Sequence, residues 1–262
     1  MLFAIDIGNT NIVIGIFDNN KIIYKWRIIT DLKKSIDDYA IDIVELCLTH
    51  KVDCLAINGS IIASVVPTLT ARLQEAVKKI ISPTLVKNIL VLGDENTKLN
   101  IDIKIKNKNE VGFDRLVNSI AGFKKFGGNL IIIDFGTATT FDVVGANGEY
   151  LGGVIAPGIN LSLKALHDMT SQLPKITVKY QKNVIGKSTV EAMNSGVYHG
   201  YIAMVDGMVK KIDNELGIQA QKIITGGLSE LFKEPLIGND IVNFHEPDLT
   251  LEGLKIIYEE NK

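Results

Sequence analysis

The sequence predicts an α/β protein made of two related domains, each a mixed five-stranded sheet with helices. Three observations carry this. A strand and turn motif occurs twice: a shift of 128 positions lays Ile5, Asp6, Gly8 and Asn19 over Ile133, Asp134, Gly136 and Asn147, and the run 2–5 over 130–133. That shift is close to half of the 262-residue chain, and a repeat of this size must be recognised before any fold is assigned. The first half reads as three strands, helix, strand, helix, strand. Hydrophobic residues make up 46% and charged residues 22%, which excludes disordered and collagen-like classes and leaves enough chain for a sizeable core. The repeat favours two domains, drawn here as 1–115 and 116–262.

The repeated motif sets the chemistry. In MLFAIDIGNTNIVIG, residues 2–5 form an apolar run that Asp6 closes; Gly8, Asn9, Thr10 and Asn11 supply turn chemistry, and 12–17 resume a β-rich run. A strand that delivers a carboxylate to a glycine turn suits a phosphate or metal site. It equally suits a hairpin whose Asp caps the turn. The second copy, NLIIIDFGTATTFDVV at 129–144, favours the first reading: two domains, each offering an Asp and hydroxyl-bearing residues to one cleft.

A formal charge of −2 gives no reason to expect nucleic acid or an anionic membrane surface as partner. Cys47 and Cys54 stand seven apart with no further thiol, which fits neither a disulfide scaffold nor a zinc site and suits a reducing compartment. Residue 1 runs directly into the first strand, leaving no room for a signal peptide, and no apolar run reaches the roughly 18 residues of a membrane span. The expected location is the cytoplasm.

In order, residues 22–29 alternate around Ile23, Trp26 and Ile28 as a third antiparallel strand. Residues 35–50 turn helical, with Ser35 as N-cap, Asp37 and Asp38 in the first turn, and Tyr39, Ile43, Leu46 and Cys47 on one face. Residues 55–57 and 61–66 are strand-like, 68–81 is an amphipathic helix, and 89–92 is a buried strand. Residues 97–110 alternate Ile101, Ile103 and Ile105 with polar positions and predict a half-exposed strand with a solvated lysine face. EVGFDR at 110–115 opens a helix that runs through Leu116, Ile120 and Phe123.

After the second copy, Asn147-Gly148 predicts a hairpin turn. Gly152, Gly153 and Gly158 imply close backbone approach, and 160–169 is a short helix. Ser188 and Glu191 predict a capping box that starts a long helix to about Glu215, with Gly196, Gly200 and Gly207 nearly on one face. Residues 222–227 form a strand ending in two glycines, followed by a helix from Leu228, and 249–258 closes the chain as a helix.

Several chemistries fall away. Gly186-Lys187-Ser188 ends like a P-loop, but the required earlier glycine is Gln181. No G-x-G-x-x-G turn is present, and His50, His167, His199 and His245 are scattered. Two D-x-G turns support another phosphate site, in which backbone N–H groups and the hydroxyls of Thr10, Thr137 and Thr139 hold phosphate oxygens while Asp6 and Asp134 hold a cation. Phosphoryl transfer also needs a group to deprotonate the attacking oxygen. Asp114 is the candidate.

The motifs DIGNT at 6–10, GFDR at 112–115, DFGTATT at 134–140, GGVIAPG at 152–158, TVEAMNSG at 189–196 and TGG at 225–227 resemble, in this order, the type III pantothenate kinases. These belong to the actin, hexokinase and heat-shock ATPase superfamily, whose actin-like (ribonuclease H-like) domain has the βββαβαβ order read above. The resemblance spans the whole chain. It implies ATP-dependent phosphorylation of pantothenate, with Mg2+ and an activating K+ or NH4+. Asp6, Ile7, Gly8, Asn9, Thr10, Asn11, Ile12 and Val13 match an ATP-phosphate motif, and Thr137 matches an ATP contact. Asp134 matches the monovalent-cation ligand. Gly112, Phe113, Asp114 and Arg115 match the pantothenate-binding segment, with Asp114 as base. Thr189 matches a substrate contact supplied across a homodimer interface, and TGG the adenosine side.

Phe113 stands where the family usually has alanine, which enlarges a side chain beside the proposed base. IKNKNEVG at 105–112 lacks the family's usual Tyr and Pro. The alternative is a nucleotide-binding accessory or regulatory protein without kinase activity, or a kinase for another small hydroxy-acid.

Overall fold

Strand alternation builds the first sheet and decides which side of it carries chemistry. The computed structural model describes residues 1–262 except residue 87. Strands β1 (Leu2–Ile7), β2 (Asn11–Asp18) and β3 (Lys21–Ile29) form an antiparallel meander, and β4 (Gly59–Ser64) and β5 (Ile89–Val91) add in parallel, giving the order β3-β2-β1-β4-β5. Successive side chains of a strand point to opposite faces. Phe3, Ile5 and Ile7 therefore pack with α1 (Ile36–Thr49) and α2 (Pro67–Ile80) through Tyr39, Ile43, Leu69 and Leu73. Leu2 and Ala4 pack on the opposite side with Val117 and Ile120 of α3 (Phe113–Phe126) and with Leu254 of the last helix. Asp6 shares the Leu2 and Ala4 face.

The second sheet repeats the plan. Strands β6 (Leu130–Phe135), β7 (Ala138–Val144) and β8 (Tyr150–Pro157) form the meander. After α4 (Ile159–Asp168) and α5 (Thr189–Leu216) comes β9 (Gln221–Thr225), parallel to β6; after α6 (Ser229–Gly238) comes the two-residue β10 (Phe244–His245), parallel to β9. The order β8-β7-β6-β9-β10 is that of the first sheet. Helix α7 (Leu249–Glu260) closes the chain. The predicted α/β architecture of two mixed five-stranded sheets is present. Two compact units result, one of residues 1–101, 109–121 and 250–262, the other of residues 102–108 and 122–249.

Local signals account for the helix starts. Ser35 accepts from the Asp38 N–H while the Asp38 carboxylate reaches back to the Ser35 N–H, at 2.8 Å, a reciprocal cap that places helix α1 where expected. Pro67 occupies the first turn of α2, where its missing N–H costs nothing. At α5, Ser188 caps the Glu191 N–H, but the Glu191 carboxylate takes the Lys187 N–H at 2.7 Å instead of closing the predicted box.

Three segments differ from expectation. Residues 55–57 are not a strand: Cys54–Ala56 is a 3-10 turn, because the Asp53 carboxylate accepts from the Leu55 N–H at 2.9 Å and bends the chain. Residues 97–110 show the predicted alternation of burial but form no strand, only an isolated bridge between Ile103 and Tyr150. Alternation reports one-sided burial, not a ladder partner. The exposed Lys104 pairs with Asp102 at 2.5 Å, in keeping with a solvated lysine face. Strand β10 was not anticipated, being too short to show a period.

Candidate active site

Each D-x-G turn lies at a strand end that the topology makes special. In the first unit Asp6 pairs with Val13 of β2 on one side and Ala63 of β4 on the other; in the second unit Asp134 pairs with Thr140 of β7 and Thr225 of β9. Both carboxylates thus sit at the carboxyl end of a central strand, between an antiparallel and a parallel neighbour, where the direction of chain progression through the sheet reverses. Ligands of α/β sheets gather outside such strand ends.

Each turn is closed by a backbone hydrogen bond from its glycine. In the first, the Gly8 N–H donates to Asn11 O at 3.0 Å, and the Thr30 hydroxyl donates to Gly8 O at 2.6 Å. Asn9 and Thr10 are exposed at its tip. Ile7 and Ile12 are fully buried in the core, so they offer backbone groups alone; Val13 is half-buried against the opposite face. In the second turn the Gly136 N–H donates to Ala138 O at 3.0 Å, closing a loop one residue shorter than the first. Gly136 and Thr137 are exposed. A β-carbon on Gly158 would overlap the Thr137 carbonyl, so the GGVIAPG stretch makes its close approach to this turn. Thr139, read from sequence as a possible phosphate ligand, is instead fully buried, because alternation along β7 turns it to the face that carries Phe141 and Val143.

Asp114 lies in the first turn of α3, the helix that packs on the Asp6 face of the first sheet. Its Oδ1 accepts the Arg115 N–H at 2.9 Å. A β-carbon on Gly112 would come within 2.5 Å of the same oxygen. Burial pushes the Asp114 carboxyl above the usual aspartate value, against the opposing pull of the Arg115 N–H and guanidinium. A raised carboxylate on the sheet face shared with Asp6 is suited to accept a proton. The Phe113 ring packs on Gly93 and joins the apolar layer of Leu2, Ala4 and Leu92.

In the second unit Asp134 is half-buried and its Oδ1 lies against the backbone of Gly226, which adopts φ +94°. Thr189, at the start of α5, is exposed. Cys47 is fully buried and its thiol is pushed up to about 12, first by burial and then by the Cys54 thiol beside it, which keeps it protonated and a poor nucleophile.

Comparison with known proteins decides the family. The profile of the type III pantothenate kinases matches residues 2–211. Relatives carrying that name include a protein of Paramagnetospirillum magneticum, 42% identical over 261 residues, covering all of this chain and 98% of the relative. One from Moorella thermoacetica is 41% identical over 263 residues with both chains covered completely. The chain belongs to the type III pantothenate kinases.

Solved structures share the fold at low identity. A conserved Baf family protein of Campylobacter jejuni aligns with TM-score 0.60 at 18% identity, covering 99% of this chain and 98% of that one. The inorganic polyphosphate/ATP-glucomannokinase of an Arthrobacter strain aligns with TM-score 0.50 at 14% identity, covering 100% and 99%. This type III pantothenate kinase family member keeps Asp6, Asp114 and Asp134 in the settings described above. Sequence reading missed the contact of Gly226 with Asp134 and the side chains behind it, Ser229 and His245; the only local signal was the double glycine ending a strand.

Proposed function

We propose that the protein transfers the γ-phosphoryl group of ATP to the terminal hydroxyl of pantothenate, giving 4'-phosphopantothenate, the first step of coenzyme A synthesis. Family membership supports the reaction class. On the chain itself the carrying observation is Asp114, a carboxylate raised by burial, with Gly112 leaving room beside it. The proton of the pantothenate hydroxyl passes to Asp114 while the hydroxyl oxygen attacks the γ-phosphorus and ADP departs.

In this reading the backbone of Asp6 to Val13 and the Thr137 hydroxyl bind ATP, and Gly112, Phe113 (through its backbone), Asp114 and Arg115 bind pantothenate. Thr189 reaches pantothenate from a second copy of the chain, in a homodimer. The exposed Gly196 and Gly200 of α5 have no atom within 4 Å of where a β-carbon would stand, which leaves room for a close helix partner. A cytoplasmic setting accords with the free thiols of Cys47 and Cys54.

Asp134 is a single carboxylate beside the Gly226 backbone, and in this reading it is the one protein group that holds K+ or NH4+; the ion's remaining ligands would be phosphate oxygens and water, and when bound it would offset phosphate charge. Among the described residues no three His, Cys, Asp or Glu side chains converge as a metal cage. Mg2+ would accordingly take most of its ligands from phosphate oxygens and water. The test is coupled ADP release by purified protein with ATP, magnesium and potassium. Turnover that depends on pantothenate is expected, and its absence rejects the proposed substrate.

A further inference from the structure

Behind the Asp134 turn lies a chain of hydrogen bonds that the reaction as described does not use. Gly226 follows β9 and turns with φ +94°; a β-carbon there would overlap Asp134 Oδ1 and stand 2.7 Å from the Phe135 nitrogen. The Gly226 backbone therefore lies flush against the carboxylate. Its carbonyl accepts twice from Ser229, from the N–H at 3.2 Å and from the hydroxyl at 2.8 Å. Ser229 Oγ in turn lies 2.9 Å from His245 Nε2. Ser229 is 1% exposed and the His245 side chain 8%, so water does not compete for these bonds.

Counting protons fixes the direction of the relay. With the one Ser229 hydroxyl hydrogen on the Gly226 carbonyl, the Nε2–H tautomer of His245 donates to Ser229 Oγ. His245 is itself held by β10: it pairs with Ile224, and the Glu246 N–H donates to Ile224 O at 2.9 Å. Burial lowers the ring below the usual histidine value. Lys233 adds to that lowering, and the neighbouring Glu230, Glu246 and Asp248 oppose it. His245 Nδ1 is 3.6 Å from Glu230 Oε2. In its Nε2–H tautomer, or protonated, the ring donates to Ser229.

We infer that Ser229 and His245 are a positioning pair, holding the Gly226 turn against Asp134 so that the carboxylate and the adjoining turn keep the place needed to bind nucleotide phosphates. The inference rests on the reading of the Asp134 turn as a phosphate-side element. Both act through the Gly226 backbone, as positioning residues and not as ligands.

The test is calorimetric binding of the β,γ-imido analogue of ATP, with magnesium and potassium, to the full chain and its variants. Loss of one buried hydrogen bond is worth about tenfold in affinity if it is expressed in the bound state. Ser229→Ala and His245→Leu should each weaken binding by about that factor, and the double variant should be no weaker than the worse single one, because both cut the same relay. His245→Gln and Ser229→Thr, which keep a donor, should bind within about threefold of the parent. The KM for pantothenate should stay within about twofold throughout. Should Ser229→Ala fail to fold, Ser229→Cys, of similar size but a weak donor, carries the same contrast. Unchanged affinity in the truncated variants, additive losses in the double variant, or a His245→Gln protein as weak as His245→Leu would each overturn the inference. Binding is read without turnover, so failure of the pantothenate assay with the relay contrasts intact rejects the substrate and leaves the positioning pair standing.

Discussion

Phe113 rests on Gly93: a β-carbon on Gly93 would stand 2.9 Å from Phe113 Cζ and 3.1 Å from Cε2, and Gly93 holds φ +98°. The bulky residue beside the proposed base is thus accommodated by an absent side chain in the same unit. Its ring belongs to the apolar layer with Leu2, Ala4 and Leu92.

Phe113→Ala should therefore act on stability more than on substrate. Truncating a partly buried ring costs about 3 kcal/mol, read as a lower denaturant midpoint, while the KM for pantothenate stays within about threefold. A large change in KM at unchanged stability would show that the ring borders the substrate. Gly93→Ala should destabilise as well, through its positive φ and its overlap with the ring.

Asp114→Asn should lose about a hundredfold or more in kcat while nucleotide still binds. The same variant should be more stable at neutral pH. The folded-state value of Asp114 is raised, so between the unfolded and folded values the native state binds the extra proton, and stability falls as pH rises through that window. Replacing the ionised group by a neutral amide removes this loss. Thermal melts at pH 7 and in mild acid should show the gain only at the higher pH; an equal shift at both would assign it to packing.

Gly158→Ala should fail through backbone overlap. The atom in the way is the carbonyl of Thr137, which cannot swing aside as a flexible side chain does. Displacing the 136–137 turn should weaken nucleotide binding by tenfold or more. Calorimetric titration checks this, and Ala substitution at Gly217, where no atom stands within 4 Å, serves as the comparison: its positive φ costs stability without touching the turn.

His245 should make the fold acid-sensitive. Its value is lowered by burial, so below the usual histidine range the unfolded chain takes up a proton that the native state resists. Stability should fall as pH drops through the window down to the folded value. His245→Gln should flatten that part of the pH dependence of the thermal midpoint while retaining nucleotide affinity; an unchanged slope would mean that other groups set it.

Much of this protein was legible in its sequence because the signals are local. Short continuous apolar runs in Leu2 to Ile7 and again in Leu130 to Phe135 set the strands, the register of the repeat set the duplication, and Ser35 with Asp38 set a helix start. Each depends on residues a few positions apart, whose geometry the backbone itself imposes. The segment 97–110 misled for the same reason, since alternation tells which side is buried but not whether a neighbouring strand exists.

What only the tertiary structure decided depends on residues far apart in the chain. No pattern announces that Gly93 makes room for Phe113, that β7 buries Thr139 while leaving Thr137 exposed, or that a two-residue strand brings His245 to Ser229. These follow from how packed elements meet. The sequence by itself determined the class of fold, the two D-x-G turns and the family; the packed structure decided which side chains face the chemistry and which residues hold them there.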